Sequence, residues 1–597
     1  MKPRSIIVVV LVLSAVLPAA MRGPGVICAA NAFAATLDES FVQDTKVYLS
    51  RLEKLGFAGV VCVAEGGKPV IAEGHGLADR ERNLPWTPTT IATVGSITKQ
   101  FTAAGIAKLV EQGRVRFDDP LGKYFPETPP DKKAITLHHL LTHSSGITDP
   151  EGIDDFDPVG REDYVRAVLT GQLASAPGER YAYANANFSL LGAVIELVTK
   201  KSYEQAMREL VFDPAGLAET GYRIPKWEES RIAQGYTGSE RWGTVLERPM
   251  AEDGPYWALR ANGGIHSTAG EMVHWAETLL EGSTLSPTTR DALWTPYVDE
   301  SNGDSLSFYG YGWSIVDLAP GIRVVTHNGG NGIFFADLAI VPARHVVAFL
   351  QTNVIADFPT ANNLLTQIEE RMFMGKPYPY VPQVVDVADG ALDEWAGDYE
   401  LDNGQRYVVS VDRNSLRVVP HGWTAYAFIH SPPKENVERL VTMSREIDRV
   451  VGACVKGDFT PLFDAYQGKV PIENLRNAYK ERLQGQEEQF GPLQGYEVLG
   501  TGSGEVHYLT AVRFRHERGD VTRTYAWERS EKNRLLGMIM RPVDPACRFF
   551  PVGGERLESW DAITGASIPA RVGPSPRGVI EFVLSRGDRE IAARRGE

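Results

Sequence analysis

Three short polar runs carry residue types able to do acyl-transfer chemistry. At 93–99 the chain reads T-V-G-S-I-T-K, with Ser96 at a helix entry and Lys99 one helical turn later, so both side chains share a face. A serine hydroxyl is a weak nucleophile until a base takes its proton, and a lysine amine can be that base if burial lowers its pKa. The helix N-terminus adds positive potential where an oxyanion would form. In P-G-E-R-Y-A-Y-A-N at 177–185, Tyr183 and Asn185 make a Tyr-x-Asn element in the turn before a second helix. A phenol can shuttle the serine proton, and an amide can orient a substrate carbonyl or the lysine. At 327–332, H-N-G-G-N-G ends a strand-like run. There Gly329 and Gly330 let a substrate backbone lie against the strand, and a free N–H can complete an oxyanion hole.

Each run alone has a plainer reading: an N-cap followed by a surface lysine, a capped helix with a packed aromatic, a glycine-rich turn. Their order, Ser-x-x-Lys, then Tyr-x-Asn, then His-x-Gly, is what favours one enzyme site. With L-L-T-H-S-S-G-I at 140–147 and G-G-I-H-S-T at 263–268, residues 40–375 resemble the class C branch of the serine β-lactamase and penicillin-binding-protein superfamily, which includes esterases and D-amino-acid peptidases. The resemblance implies that Ser96 is acylated, that Lys99 and Tyr183 manage protons, that Asn185 positions substrate, and that the Ser96 and Gly330 amides form the oxyanion hole. His143 is read as structural. His327 stands where β-lactamases of this superfamily carry the lysine of Lys-Thr-Gly. A lysine there is a permanent cation for a substrate carboxylate, whereas a histidine with a reference pKa of about 6.5 would change charge within the working pH range. Ester, amide or D-peptide hydrolysis is therefore expected ahead of β-lactam hydrolysis or D-Ala-D-Ala carboxypeptidase activity. A penicillin- or peptide-binding sensor that does not turn over is the reading from another class. No G-x-S-x-G, H-E-x-x-H or dinucleotide-binding glycine pattern occurs, so neither a cofactor nor a metal is implied.

The elements that must position these residues follow from periodicity. Helices are expected at 38–55, 97–112 and 189–199, a hairpin at Phe57–Ala64 and Pro69–Gly76, and closing strands at 307–316, 322–327, 333–341 and 345–353. That is an α+β domain over 38–376: a mainly antiparallel sheet flanked by helices, with an all-helical subdomain. Trp227, Trp242 and Trp257 are candidates to line its cleft. Pro377, Pro379 and Pro382 mark a linker at 377–385. Beyond it, L-D-E-W-A-G-D-Y-E-L at 392–401 and F-F-P-V-G-G-E-R-L at 549–557 resemble the two ends of small lipocalin-like β-barrels. A barrel from 386–431 and 545–597 is expected, with an α+β insertion at 432–544 similar to cone-shaped nuclear-transport-factor-like domains. A cap or an oligomerisation surface is the expected role of this C-terminal region.

The chain of 597 residues exceeds what one core usually holds. Lys2, Arg4 and the apolar run Ile6–Leu17 have the layout of a secretory signal peptide over 1–34, and the run is too short to span a bilayer. An exported protein, periplasmic or extracellular, is expected, with no stable membrane span after cleavage. Removing Lys2, Arg4 and Arg22 moves the formal charge from −15 to −18, which repels nucleic acid and leaves a small molecule or peptide as the expected partner. Cys62, Cys454 and Cys547 would remain, as free thiols or with a Cys454–Cys547 bridge.

Overall fold

The structure, a computed structural model, describes residues 37–596 apart from 302–306, 320, 359, 432–434, 505–506, 531–532, 540–545, 561–566, 577 and 587–588. The expected signal segment lies outside the described residues. Two compact units divide at Tyr378/Pro379.

The first unit is built on an eight-stranded antiparallel sheet. Its strands run, in spatial order, Val298–Asp299, Ser307–Tyr309, Ser314–Ala319, Ile322–Gly330, Phe335–Val341, Val346–Thr352, Gly59–Glu65 and Lys68–His75. Val346–Thr352 is buried at every position, so both of its faces are covered, as its unbroken run V-V-A-F-L demands. Helices Glu39–Lys54, Ala269–Glu281 and Ala361–Met374 pack on this sheet. Asp38 caps the first of them by accepting the Phe41 amide at 2.8 Å.

The helical region centres on Thr98–Glu111 and Asn185–Thr199, both buried on nearly every side. A helix so enclosed needs small residues where neighbours approach. A Cβ at Gly105 would lie 2.8 Å from the Met207 sulfur. The second of these helices begins at Asn185, four residues earlier than its apolar periodicity suggests, because Asn185 and Asn187 interrupt the apolar pattern of its first turn.

One expected strand is two. Residues 307–316 are split by a tight turn in which the Gly310 amide donates to the Trp313 carbonyl at 2.7 Å. Gly312 has φ +78°, and a Cβ there would stand 2.8 Å from the Lys99 carbonyl oxygen. The chain breaks its strand to pass against the Lys99 helix, a tertiary demand that alternation alone does not reveal.

In the second unit, strands Gly397–Leu401, Arg406–Val411, Leu416–His421, Cys547–Gly553, Arg556–Trp560, Ser567–Pro574, Ile580–Arg586 and Arg589–Arg595 form a closed barrel. Between the third and fourth of these come helices Val437–Val455 and Ile472–Phe490 and a four-stranded sheet over Leu493–Ile539. A short helix, Trp423–Ile429, serves both cores: Ala425, Phe428 and Ile429 join the barrel interior and Ala427 the other core. Fold class thus agrees with expectation, an α+β domain followed by a β-rich region. Cys62, Cys454 and Cys547 are free thiols, so the Cys454–Cys547 bridge is not formed. Among the described residues no helix is long and apolar enough to cross a membrane.

Candidate active site

The first two sequence motifs meet at the Lys99 ammonium position. Ser96 lies in a single 3-10 turn, Gly95–Ile97, that feeds directly into the Lys99 helix. Lys99 is fully buried. Its Nζ donates to the Asn185 Oδ1 at 2.9 Å and to the main-chain carbonyl of Asn262 at 2.8 Å, and lies 3.0 Å from the Ser96 Oγ. Burial pulls its pKa from the ordinary lysine range to about 7, against an opposing pull from Asp149 and Asp155. At neutral pH a large fraction is therefore the uncharged amine. That form has two N–H bonds and one lone pair. With both N–H groups taken by carbonyl oxygens, the lone pair is left facing the serine hydroxyl.

Tyr183 supplies the second contact to Ser96, hydrogen bonding to its side chain. Its ring is 39% exposed, which opens it to a substrate, while crowding around the hydroxyl holds the phenol well above its ordinary pKa. It therefore stays protonated at neutral pH. The Lys99 Nζ sits 4.8 Å from the Tyr183 ring centroid. His143, buried and at φ +53°, stands behind this turn with its ring 4.3 Å from that of Tyr183. The Ala184 amide and the Asn187 side-chain amide both donate to its Nδ1, at 3.2 and 3.1 Å. Burial holds the ring well below its ordinary pKa, hence neutral. His143 anchors the Tyr183–Asn185 turn from inside, with its ring packed on that of Tyr183.

The third motif closes the site through backbone. Strand Ile322–Gly330 ends against the Ser96 turn so closely that a Cβ at Gly329 would lie 2.2 Å from the Val94 carbonyl oxygen and 2.4 Å from the Ser96 nitrogen. A Cβ at Gly95, whose φ is +54°, would lie 2.5 Å from the Gly330 nitrogen. The Ser96 and Gly330 amides are brought side by side because neither Gly95 nor Gly329 carries a side chain.

His327 departs from expectation. Its Nδ1 lies 2.5 Å from the Asn328 carbonyl, which can only accept, so this nitrogen carries the hydrogen. The Tyr309 hydroxyl then donates to Nε2 at 2.9 Å. Burial, with the Lys99 charge nearby, pushes its pKa down to about 3. The ring is a neutral, internally satisfied group across the whole neutral range, and the charge change anticipated from an ordinary histidine does not occur.

Sequence reasoning missed Asn262, Gly95 and Tyr309. Asn262 acts through its carbonyl, while its side chain donates to the Ser189 Oγ at 2.9 Å and the Ala258 carbonyl at 2.7 Å, locking the loop. A backbone ligand leaves no residue-type signature. Of the three tryptophans, Trp227 donates to the Glu219 carbonyl at 2.9 Å and Trp257 is buried beside Arg260. Trp242 lies near Phe156 and Phe334, with ring centroids 6.4 and 6.2 Å away. Among the described residues no group of three or more His, Cys, Asp or Glu side chains is placed to hold a metal.

Known proteins resemble this chain over the same region. The Beta-lactamase family model matches residues 45–368, more than half of the chain. A penicillin-binding protein of Bacillus subtilis (strain 168) is 26% identical over 384 residues, 61% of this chain and 84% of that protein. The D-alanyl-D-alanine-carboxypeptidase/endopeptidase AmpH of Escherichia coli (strain K12) is 26% identical over 320 residues, 49% of this chain and 79% of that one. Among solved structures, the octameric penicillin-binding protein homologue from Pyrococcus abyssi covers 93% of this chain and 100% of its own, at 20% identity and a TM-score of 0.50, a likeness of fold. With a serine, a buried lysine and a tyrosine gathered at one point and the family model spanning the surrounding domain, the chain belongs to the Beta-lactamase family of serine hydrolases.

Proposed function

We propose that this protein is an exported hydrolase that cleaves an ester, amide or D-amino-acid peptide bond through an acyl-enzyme on Ser96. One observation carries the proposal: Lys99, buried and with both N–H groups of its neutral form engaged, presents its lone pair to the Ser96 hydroxyl. In the first half-reaction the serine oxygen bonds to the substrate carbonyl carbon and the bond to the leaving oxygen or nitrogen breaks. Lys99 takes the serine proton, and the proton is returned to the leaving group by way of the Tyr183 phenol. A water then repeats the exchange, releasing the acid and restoring the Ser96 hydroxyl. The Ser96 and Gly330 amides hold the negative charge that develops on the carbonyl oxygen.

The alternative, action on D-alanyl-D-alanine peptides or β-lactams, is favoured by the names of two relatives. It is weakened by His327, since a neutral ring offers no counter-charge to the carboxylate those substrates carry.

A fluorophosphonate probe and a p-nitrophenyl ester test the assignment. The mature protein is expected to become labelled at Ser96 and to release p-nitrophenol continuously. Equal labelling of Ser96→Ala would overturn the nucleophile, and a single burst without turnover would favour the sensor.

A further inference from the structure

The helices and four-stranded sheet inserted in the second unit enclose a core that treats its polar groups in two ways. At one end they pair. The Ser444 and Thr501 hydroxyls lie 2.9 Å apart, those of Thr501 and Thr510 2.7 Å apart, and the Trp527 indole donates to the Thr510 hydroxyl at 2.8 Å. At the other end they do not. The Tyr479 and Tyr525 hydroxyls and the Gln486 side-chain carbonyl are enclosed by protein, and among the described residues none of them meets a hydrogen-bond partner. All three residues are more than nine-tenths buried. Buried polar groups are ordinarily satisfied, so these orphans in one core call for a partner.

Two contacts fix how helix Ile472–Phe490 lies on strand Gly519–Glu528. A Cβ at Gly519 would stand 3.6 Å from the Phe490 ring, and the Arg523 Nη2 donates to the Arg482 carbonyl at 3.0 Å. The helix from 482 to 490, about 12 Å, thus runs antiparallel to the strand from 519 to 523, about 13 Å. Continued past Arg482 and Arg523, the same match sets Tyr479 opposite Tyr525. Tyr525 shares Arg523's face of the sheet, being two residues further on, and it joins Tyr479 in one core. The Arg523 guanidinium lies 5.3 Å from the Phe514 ring centroid, and the Phe459 ring meets that of Tyr479 at 5.7 Å. Burial raises the pKa of both phenols, so each keeps its hydrogen at neutral pH, and the Arg523 charge acts on both. The Gln486 carbonyl lies about 10 Å along the helix from Tyr479, outside this head of two phenols and a guanidinium.

We propose that this end of the inserted core binds a small monocarboxylate with an apolar or aromatic body. The Tyr479 and Tyr525 hydroxyls and the Arg523 guanidinium all donate, and an ionised carboxylate accepts from all of them. Arg523 spends one N–H on the Arg482 carbonyl, and a guanidinium carries five. The side chains around the head, Phe459, Leu475, Val512 and Phe514, belong to the same apolar core and suit an uncharged body. They disfavour inorganic phosphate, whose full charge would have to leave water with no apolar surface to bury. No residue of this site belongs to the catalytic unit.

The test is isothermal titration of the mature protein at pH 7 with phenylacetate, phenylacetamide and inorganic phosphate. Phenylacetate is expected to bind once per chain, about tenfold or more tighter than either of the others. Tyr479→Phe and Tyr525→Phe, which each remove one oxygen and leave the ring, should weaken phenylacetate about fivefold or more while hydrolysis of p-nitrophenyl acetate is unchanged. Since the hydroxyls have no partner in the fold, neither variant should melt below the wild type when phenylacetate is absent. Arg523→Gln should bring acid and amide to similar affinity. Phenylacetate binding unmoved in both phenylalanine variants would overturn the proposal, as would equal binding of acid and amide by the wild type, tighter binding of phosphate, or no heat from phenylacetate in the millimolar range. A lower melting temperature in both phenylalanine variants would overturn it as well, by showing that the hydroxyls are satisfied within the fold.

Discussion

Tyrosines occupy both the catalytic cleft and the barrel interior, and they are used differently. In the barrel, the Tyr399 hydroxyl donates to the Trp395 carbonyl at 2.8 Å and the Tyr407 hydroxyl to the Ala425 carbonyl at 3.3 Å, while their rings pack on Phe582. In the cleft, Tyr183 reaches Ser96 and Tyr309 reaches His327. Burial raises the phenol pKa in both places, so a shifted pKa does not separate function from packing. The partner does. A phenol that donates to a backbone carbonyl finishes a fold, Tyr309 satisfies a neutral histidine, and Tyr183, which meets a serine hydroxyl, is the one placed for proton transfer. The same contrast holds for the interiors at large: the barrel is filled by Leu401, Leu416, Val418, Phe549, Leu557 and Phe582, whereas the cleft buries Lys99, His143, Asn187, Asn262 and His327.

Lys99→Met attacks the cleft side of that contrast most strongly. Turnover of a p-nitrophenyl ester is expected to fall by about 10²–10⁴-fold, the usual size of a general-base contribution. The rising limb of kcat/KM near pH 7 should disappear with it. The variant also reads the cost of burial. The folded lysine pKa lies below its unfolded value of 10.5, so the unfolded chain binds more protons between about pH 7 and 10.5, and wild-type stability rises with pH there. The penalty is fully present below pH 7. Relative to Lys99→Met, the wild type should gain stability in denaturant melts on moving from pH 6.5 to pH 9.5.

Gly329→Ala is the next largest. Its methyl group would stand 2.2 Å from the Val94 oxygen, so the strand end must withdraw from the Ser96 turn. Loss of one oxyanion donor commonly costs about 10²–10³-fold in kcat. Steady-state kinetics should show that loss with thermal stability changed far less. A drop confined to KM would count against the backbone pair as the oxyanion site.

Phe582→Ala lies at the other extreme for turnover. It empties a ring packed against Tyr399, Tyr407 and Phe549, and should destabilise the second unit by about 3–5 kcal/mol. Ester turnover per active site, counted by fluorophosphonate titration, should not change. A marked fall would show that the barrel contributes to the reaction, and the two interiors would no longer be separable.

The sequence made some of this readable and hid the rest for physical reasons. T-V-G-S-I-T-K reports its own geometry, because one helical turn sets the Ser96–Lys99 spacing without help from elsewhere. The strand Val346–Thr352 is equally plain, since burial on both faces leaves only apolar choices through most of its length. The Asn262 carbonyl is silent, as it meets Lys99 from 163 residues away and any residue has a carbonyl. His327 misled for a related reason: its type suggested a titrating group, but its charge is decided by enclosure and by the Lys99 charge nearby, neither of which is local. The split at Gly310–Trp313 was hidden in the same way by the Lys99 helix that requires it.

The contact between the Ser96 turn and the strand end at Gly329 also fixes when the protein becomes an enzyme. Ser96, the proposed nucleophile, is made early by the ribosome, and the Gly330 amide, proposed as the second oxyanion donor, much later, after most of the catalytic unit has emerged. No partly synthesised or partly folded chain holds both amides at one carbonyl oxygen, because each glycine approach depends on the strand being docked. Hydrolytic competence therefore arrives with completed folding of this unit rather than accumulating along the way.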